Sequence, residues 1–235
     1  MQIIKISAII KIMKNMKPVL LINLKTYAEA TGTNALKLAA MADAFAGGGV
    51  EIILAVQAAD IRMVSERAKV AVFSQHVDPV KFGSNTGWLL PEAAKAAGAS
   101  GTLLNHSERR MDAATIKKCL ARCREAGLRT VVCAETPQKA EELASLKPDY
   151  IAIEPPELIG GDISVSKARP EVITEAVERV KAVAPILVLC GAGVKDGEDV
   201  RRALELGAKG ILVASGVVKA AKPREAIKNL LRGFE

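Results

Sequence analysis

Eight short apolar runs recur along the chain, and segments with helical periodicity separate most of them. A short apolar run that ends in polar or turn residues is typical of a buried parallel strand. Alternation of such strands with helices builds right-handed βαβ units and a parallel sheet. The predicted strands are 19–23, 52–56, 70–74, 102–105, 130–134, 150–154, 186–190 and 210–214.

The segments between the strands carry helix start and stop signals. Helices are predicted over 35–46 with Thr33 and Asn34 as candidate caps, from Pro91 to near Gly98, from Asp112 to Gly127, from Pro137, from Pro170, over 196–206 and from Pro223. Eight units of this kind match a closed (β/α)8 barrel, an α/β fold, better than an open doubly wound sheet. The segment GAGVKDG (191–197) is no dinucleotide fingerprint, because Asp196 stands where its third glycine belongs.

No Pro/Gly/Ser-rich linker divides the chain, so residues 16–235 are predicted to form one barrel domain. Residues 1–15 have lysines within a short apolar stretch and no small-residue cleavage site, unlike a membrane span or a signal peptide. We interpret them as a loosely ordered extension ahead of the mature protein's start. The apolar stripe Ile3, Ile6, Ile10 and Met13 leaves a peripheral membrane or partner contact as the alternative.

Charge and cysteine usage narrow the function classes. The net charge is +7, of which residues 1–15 supply three, and no Lys/Arg run or basic-aromatic interleaving occurs. A small anionic substrate therefore fits better than nucleic acid or a membrane. No second Cys or His pair joins Cys119 and Cys123 to complete a zinc site, so no metal is expected. Free thiols indicate a reducing cytosol.

Polar residues cluster where the predicted strands end. They are Asn23 and Lys25, Gln75 and His76, Asn105 to Glu108, Glu135, and Glu154. Glycine-bearing turns follow the last two strands. Because barrel enzymes carry their chemistry at the carboxyl ends of the strands, a lysine, a histidine and a carboxylate converge on one rim. Together with the glycine-bearing turns, these residues could supply a base, an electrophile and a cradle for an anion.

Five segments make this pattern specific: NLKTY (23–27), NHSERR (105–110), IEPPELIG (153–160), CGAGV (190–194) and VASGVV (213–218). In order and spacing the chain resembles the triosephosphate isomerase family, in its shorter archaeal form, from about Val19 onward. The resemblance implies a cytoplasmic enzyme of glycolysis and gluconeogenesis. It implies interconversion of dihydroxyacetone phosphate and D-glyceraldehyde 3-phosphate through an enediolate, without cofactor.

The resemblance also assigns roles to single residues. Glu154 is the base that moves a proton between adjacent carbons. His106 polarises the carbonyl and shuttles protons between the enediolate oxygens, and a helical turn starting at Ser107 keeps it neutral. Lys25 supplies fixed positive charge. Three further residues support this set. Asn23 orients Lys25 and the substrate oxygen, Glu108 pairs with Lys25, and Ser107 holds Glu154 when the site is empty.

For the substrate phosphate, the resemblance implies a cradle of backbone N–H groups. Its members are Gly160, Gly191, Ala192, Gly193, Ala214 and Ser215. Residues 155–166 resemble the closing lid of the family. Where the family usually reads I-G-T-G, this chain has I-G-G-D, so Asp162 brings a carboxylate toward a phosphate site.

The loop from Val77 to Gly87 resembles the one that reaches into a neighbouring subunit, with Thr86 beside the partner's strand-one asparagine. A homo-oligomer is expected, and a tetramer is favoured over a dimer. Two alternatives remain open from the sequence. One is another sugar-phosphate barrel, such as an epimerase, aldolase or synthase. The other is a triose-phosphate binder that has kept the cradle and lost the chemistry.

Overall fold

Eight parallel strands close into a barrel in sequence order in the computed structural model, which describes residues 16–158 and 164–235. They are β1 (Val19–Asn23), β2 (Glu51–Val56), β3 (Ala71–Ser74), β4 (Gly101–Leu104), β5 (Arg129–Ala134), β6 (Tyr150–Ile153), β7 (Leu187–Cys190) and β8 (Gly210–Val213). Leu21 of β1 is in register with Ile53 of β2 and with Leu212 of β8, which closes the ring. The predicted (β/α)8 barrel is confirmed, and each predicted strand end lies within one residue of the observed one.

Side chains alternate across the barrel wall, as the pleat of a strand requires. In β1, Leu20 and Ile22 join the core between strands and helices, whereas Val19 and Leu21 join a second cluster inside the barrel. The inner cluster includes Tyr150 and Ala152 of β6. The next residue of the same parity is Glu154, so the strand's alternation aims this carboxylate at the barrel mouth.

Ten α-helices lie within the described residues: α1 (Thr33–Asp43), α2 (Ile61–Ser65), α3 (Pro91–Ala96), α4 (Ala113–Ala126), α5 (Pro137–Ala144), α6 (Val165–Ala168), α7 (Pro170–Val183), α8 (Gly197–Glu205), α9 (Ser215–Val218) and α10 (Pro223–Arg232). Single 3-10 turns occupy Ala28–Ala30, Ala58–Asp60 and Pro156–Leu158. Side-chain caps begin three of these helices. The side chains of Asp112, Thr136 and Asp196 accept backbone N–H bonds at the starts of α4, α5 and α8.

The first predicted helix, over 35–46, is corrected by the structure to Thr33–Asp43. Gly32 stands at the start with a φ of 60°, so Thr33 and Asn34 are helical residues rather than caps. The helix ends at Asp43, whose carboxylate accepts the N–H groups of Lys69 and Val70, before β3, at 2.8 and 3.0 Å.

The prediction for residues 1–15 lies outside the described residues. Within the described ranges, each helix is too short or too polar to cross a lipid bilayer.

Candidate active site

The carboxyl ends of the strands bring Lys25, His106 and Glu154 into one cleft, as the sequence predicted. The loops after β7 and β8 complete its lining with Ala192, Gly193, Val194, Lys195, Ala214, Ser215 and Gly216. A larger cavity, of about 680 Å³, opens at the opposite end of the barrel. Two of the charged residues in its lining, Arg129 and Glu51, form an ion pair with an N–O distance of 2.6 Å.

Lys25 is held in a strained backbone conformation two residues after β1. Its φ is 48°, a left-handed value that side chains other than glycine seldom adopt. The Lys25 N–H donates to Asn23 Oδ1 at 3.0 Å, and Gln75 Nε2 donates to the Lys25 carbonyl at 2.8 Å. Asn23 therefore orients Lys25 through its backbone, and Gln75 is a support to which the sequence assigned no role.

The ammonium group of Lys25 pairs with Glu108 Oε1 at 2.8 Å, which is the pairing predicted from the sequence. The Lys25 side chain is 13% exposed, whereas that of Glu108 is 60% exposed. A water-exposed carboxylate compensates a neighbouring charge only weakly, because solvent screens it. The pair thus aims the ammonium group into the cleft without cancelling its charge.

His106 is buried at the start of a tight turn after β4. The Glu108 N–H donates to His106 Nδ1 at 3.2 Å, so this ring nitrogen is an acceptor, and a neutral ring carries its hydrogen on Nε2. The helical turn predicted from Ser107 is in fact a single turn, closed by the Arg109 N–H on the His106 carbonyl at 2.8 Å. The same turn places the Glu108 N–H against His106 Nδ1.

The turn that carries His106 is braced on its other side by Asn105. This residue has a φ of 58°, and its amide group donates to the Cys133 carbonyl at 2.8 Å. Its side-chain oxygen accepts the Met111 N–H at 2.9 Å. Asn105 therefore ties both ends of the 105–111 segment to β5, which fixes where the imidazole stands.

Glu154 is buried at 3% exposure immediately after β6, and its Oε1 lies 3.8 Å from His106 Nε2. Its Oε2 has no hydrogen-bond partner among the described residues. The same residues show no hydrogen bond from Ser107 to Glu154, so the role of Ser107 stays a prediction. Burial and the neighbouring Glu154 carboxylate raise the pKa of the Cys133 thiol well above its usual range, so Cys133 is a neutral neighbour. An unpartnered carboxylate oxygen in a dry site is ready to accept a proton.

Gly191, which the sequence places in the phosphate cradle, packs against Glu154. Its N–H donates to the Ile153 carbonyl at 2.9 Å, which argues against this N–H as a phosphate ligand. A Cβ atom at residue 191 would overlap Glu154 Cγ and would lie 3.1 Å from Glu154 Cδ and Oε1. The missing side chain provides the space that the carboxylate occupies.

The remaining cradle residues line the other wall of the cleft. Ala192 and Gly193 are consecutive left-handed residues, with φ values of 71° and 69°, and they form the turn after β7. Helix α9 begins at Ser215, and its first hydrogen bond runs from the Val217 N–H to the Ala214 carbonyl at 3.1 Å. The N–H groups that precede this bond at a helix start are free for an anion.

Gly160, Asp162 and the middle of the predicted lid lie outside the described residues. The far end of that segment is tied to the β7 turn by Asp199, a residue not singled out in the sequence. Ser164 donates to Asp199 Oδ1 at 2.7 Å, and the Lys195 N–H donates to Oδ2 at 2.9 Å. Burial alone raises the pKa of Asp199, but these hydrogen bonds and Lys167 outweigh it and hold the pKa below its usual value.

Lys25, His106 and Glu154 thus lie together at the mouth of a barrel. Beside them are a turn and a helix start suited to binding an anion. Among the described residues, no group of three or more His, Cys, Asp or Glu side chains is arranged to hold a metal ion.

The family model for triosephosphate isomerase matches residues 18–230. The triosephosphate isomerase of Methanothermus fervidus is 48% identical over 217 residues, which cover 92% of this chain and 98% of that protein. That of Methanocaldococcus jannaschii is 47% identical over 215 residues, covering 91% and 98%. The crystal structure of triosephosphate isomerase from Bartonella henselae superposes with a TM-score of 0.75 at 20% identity, covering 93% of this chain and 99% of that one, and supports the fold. The chain belongs to the triosephosphate isomerase family.

Proposed function

We propose that this protein interconverts dihydroxyacetone phosphate and D-glyceraldehyde 3-phosphate, in glycolysis and gluconeogenesis. The observation that carries the proposal is the pair of Glu154 and His106. Glu154 is a buried carboxylate with one unpartnered oxygen, and its Oε1 lies 3.8 Å from His106 Nε2. The reaction moves one proton between two carbons and another between two oxygens, so it needs one group of each kind.

Glu154 acts as the base. Its carboxylate removes a proton from the hydroxyl-bearing carbon of the ketose, which leaves an enediolate and a neutral Glu154. His106 Nε2–H donates a hydrogen bond to the carbonyl oxygen and carries a proton between the two enediolate oxygens. Glu154 then returns its proton to the neighbouring carbon, which yields the aldose and restores the carboxylate.

Lys25 and the backbone cradle bind the charged parts of the substrate. The ammonium group stabilises the negative charge that develops on the enediolate and also attracts the phosphate. The N–H groups of Ala192, Gly193, Ala214 and Ser215 are the phosphate donors that the cleft supports. These groups and Lys25 balance the phosphate dianion without a cofactor or a metal ion.

Assembly from several copies is part of this proposal, with a tetramer favoured over a dimer. The loop from Val77 to Gly87 presents Phe82, whose side chain is 77% exposed, and Trp88 just beyond it is 56% exposed. Two large exposed apolar side chains, one on the loop and one directly after it, are typical of a surface that a partner covers. A cytoplasmic location completes the proposal, since the described cysteines are free thiols.

The test is a coupled isomerase assay on the purified protein in both directions. Replacement of Glu154 by Gln should lower kcat by about a thousandfold, because a general base supplies a large part of the acceleration. Glu135→Gln is the matched control. Glu135 follows β5 on the same rim, but it pairs with Arg110 at 2.9 Å rather than facing His106.

Three results would contradict the proposal. Near-normal turnover in Glu154→Gln would show that the base is another group. Turnover of a different sugar phosphate in preference to the triose phosphates would favour another sugar-phosphate barrel. Calorimetric binding of dihydroxyacetone phosphate without any turnover would identify a binding protein that has lost the chemistry.

A further inference from the structure

Asp78 closes the base of the 77–87 loop. It is 7% exposed and lies four residues after β3. Its Oδ2 accepts the Leu89 N–H at 2.7 Å, and its own N–H donates to the Leu89 carbonyl at 2.9 Å. This double contact joins the two ends of the loop, so the loop leaves and rejoins the barrel at one fixed point.

The second oxygen of Asp78 faces the active-site turn. Its Oδ1 lies 2.9 Å from His76 Nε2 and 3.4 Å from Arg109 Nη2. Arg109 closes the turn that begins at His106, through the 2.8 Å bond from its N–H to the His106 carbonyl. One buried carboxylate therefore contacts both the loop that we propose lies between subunits and the turn that carries the imidazole.

The rest of the loop base is anchored independently of Asp78. Arg122 of α4 donates its Nε–H to the Val80 carbonyl at 2.9 Å and is paired with Glu92 and Glu125. Cys119 donates its thiol to the Val77 carbonyl at 3.5 Å. Because these contacts hold the main chain on either side of Asp78, loss of its charge should leave the loop in place and change only what its Oδ1 contacts.

We propose that Asp78 is a positioning residue that acts through Arg109 to set the orientation of His106. The inference rests on the proposed function, in which the His106 ring must meet the carbonyl oxygen of the substrate. Asn105 braces the turn on the β5 side, and the Asp78–Arg109 contact braces it on the β3 side. The phosphate cradle lies across the barrel, on the β7 and β8 loops.

The test is Asp78→Asn, with steady-state kinetics, light scattering and NMR. An asparagine oxygen still accepts the Leu89 N–H, but the NH2 group that replaces Oδ1 cannot accept a bond from Arg109. We expect kcat to fall about tenfold while KM changes less than about twofold, because misorientation of a reacting group affects turnover rather than phosphate binding. The side-chain resonances of His106 should shift in the same variant.

Two further variants isolate the contact. Arg109→Gln should reduce kcat to a similar degree, and the double variant should lose no more than either single one, since both remove one interaction. Asp60→Asn is the matched control. Asp60 is also buried, and it accepts the Gly32 N–H at 3.1 Å on another loop of the rim, so kcat should stay at the parent level.

An unchanged kcat in Asp78→Asn, or unchanged His106 resonances, would overturn the inference. Loss of activity that disappears at higher enzyme concentration would also overturn it, because the residue would then serve assembly alone. Failure of the proposed function is distinct: the unmodified protein would not isomerise triose phosphates, and the NMR comparison would still decide whether Asp78 acts on His106.

Discussion

Substitution of Gly191 by Ala tests how Glu154 is placed. Residue 191 follows β7, and its φ lies outside the left-handed region that favours glycine. The backbone therefore accepts alanine, and any effect must come from the added methyl group. That methyl carbon would overlap Glu154 Cγ and would approach Cδ and Oε1 to 3.1 Å, compared with about 3.5 Å or more in an ordinary contact.

Glu154 would have to withdraw, because the crowding atom is fixed to the main chain. Cδ must move by about 0.4 Å and Cγ by more, so the carboxylate loses its distance to the substrate carbon. A displacement near 1 Å costs up to about a hundredfold in rate, equivalent to about 2.7 kcal/mol of transition-state stabilisation. We expect kcat to fall between tenfold and this limit, and KM to stay within about twofold.

The assay is steady-state kinetics with dihydroxyacetone phosphate and with glyceraldehyde 3-phosphate. Gly49→Ala is the control, because a Cβ atom there meets nothing within 4 Å. Parent-level kcat in Gly191→Ala would refute the steric reasoning. A raised KM with kcat intact would instead support the assignment of Gly191 to the phosphate cradle.

Three further outcomes are expected. Lys25→Met should lower kcat/KM by about a hundredfold in the same assay, because it removes the fixed charge near the enediolate. Burial, opposed by the bond to Asp78, lowers the pKa of His76 from its usual 6.5. Since the unfolded chain then binds its proton first, the free energy of unfolding should fall as pH drops below about 6.5, and His76→Gln should weaken that dependence in denaturant titrations. Trp88→Glu should reduce the mass found by light scattering, and an unchanged mass would remove this loop from the interface.

The strands were the most predictable part of the chain, because burial on both faces imposes continuous apolar runs. The starts of β2 and β5 show where this signal fails. Glu51 and Arg129 each belong to a strand, although charged residues are uncommon in buried strands. They are accommodated because they pair with each other at the end of the barrel opposite the active site. Their strands lie far apart in sequence, so no local pattern reveals the pairing.

Short helices were the least predictable elements. Helix α2 (Ile61–Ser65) has five residues, about one and a half turns, which is too short for an apolar period to become visible. The position of this helix depends on packing, since the side chains of two of its own residues, Ile61 and Val64, are buried. Tertiary contacts, rather than helix propensity, account for such elements.

The site residues Lys25, His106 and Glu154 were predictable because strand ends in a barrel must meet on one rim. Their supports were not. Asp78 and Asp199 act from loops and helix starts whose neighbours in space are distant in sequence. The contact of Gly191 with Glu154 was not predictable either, because a sequence shows a missing side chain but not the atoms that occupy its space.

Backbone conformation explains how the catalytic side chains at the rim are held in fixed positions. Of the described residues other than glycine, Lys25, Asn105, Lys147 and Ala192 have positive φ values. Three of these four follow β1, β4 and β7 within two residues, at the end of the barrel that carries the site. A left-handed non-glycine residue costs about 1–2 kcal/mol, so each must be held by its surroundings. Asn23 and Gln75 hold Lys25, and Cys133 and Met111 hold Asn105. The strained residues at the barrel mouth therefore lower the stability of the fold. The abrupt turns that they form direct Lys25 and His106 into the cleft, whereas a regular strand exit would carry these residues past it.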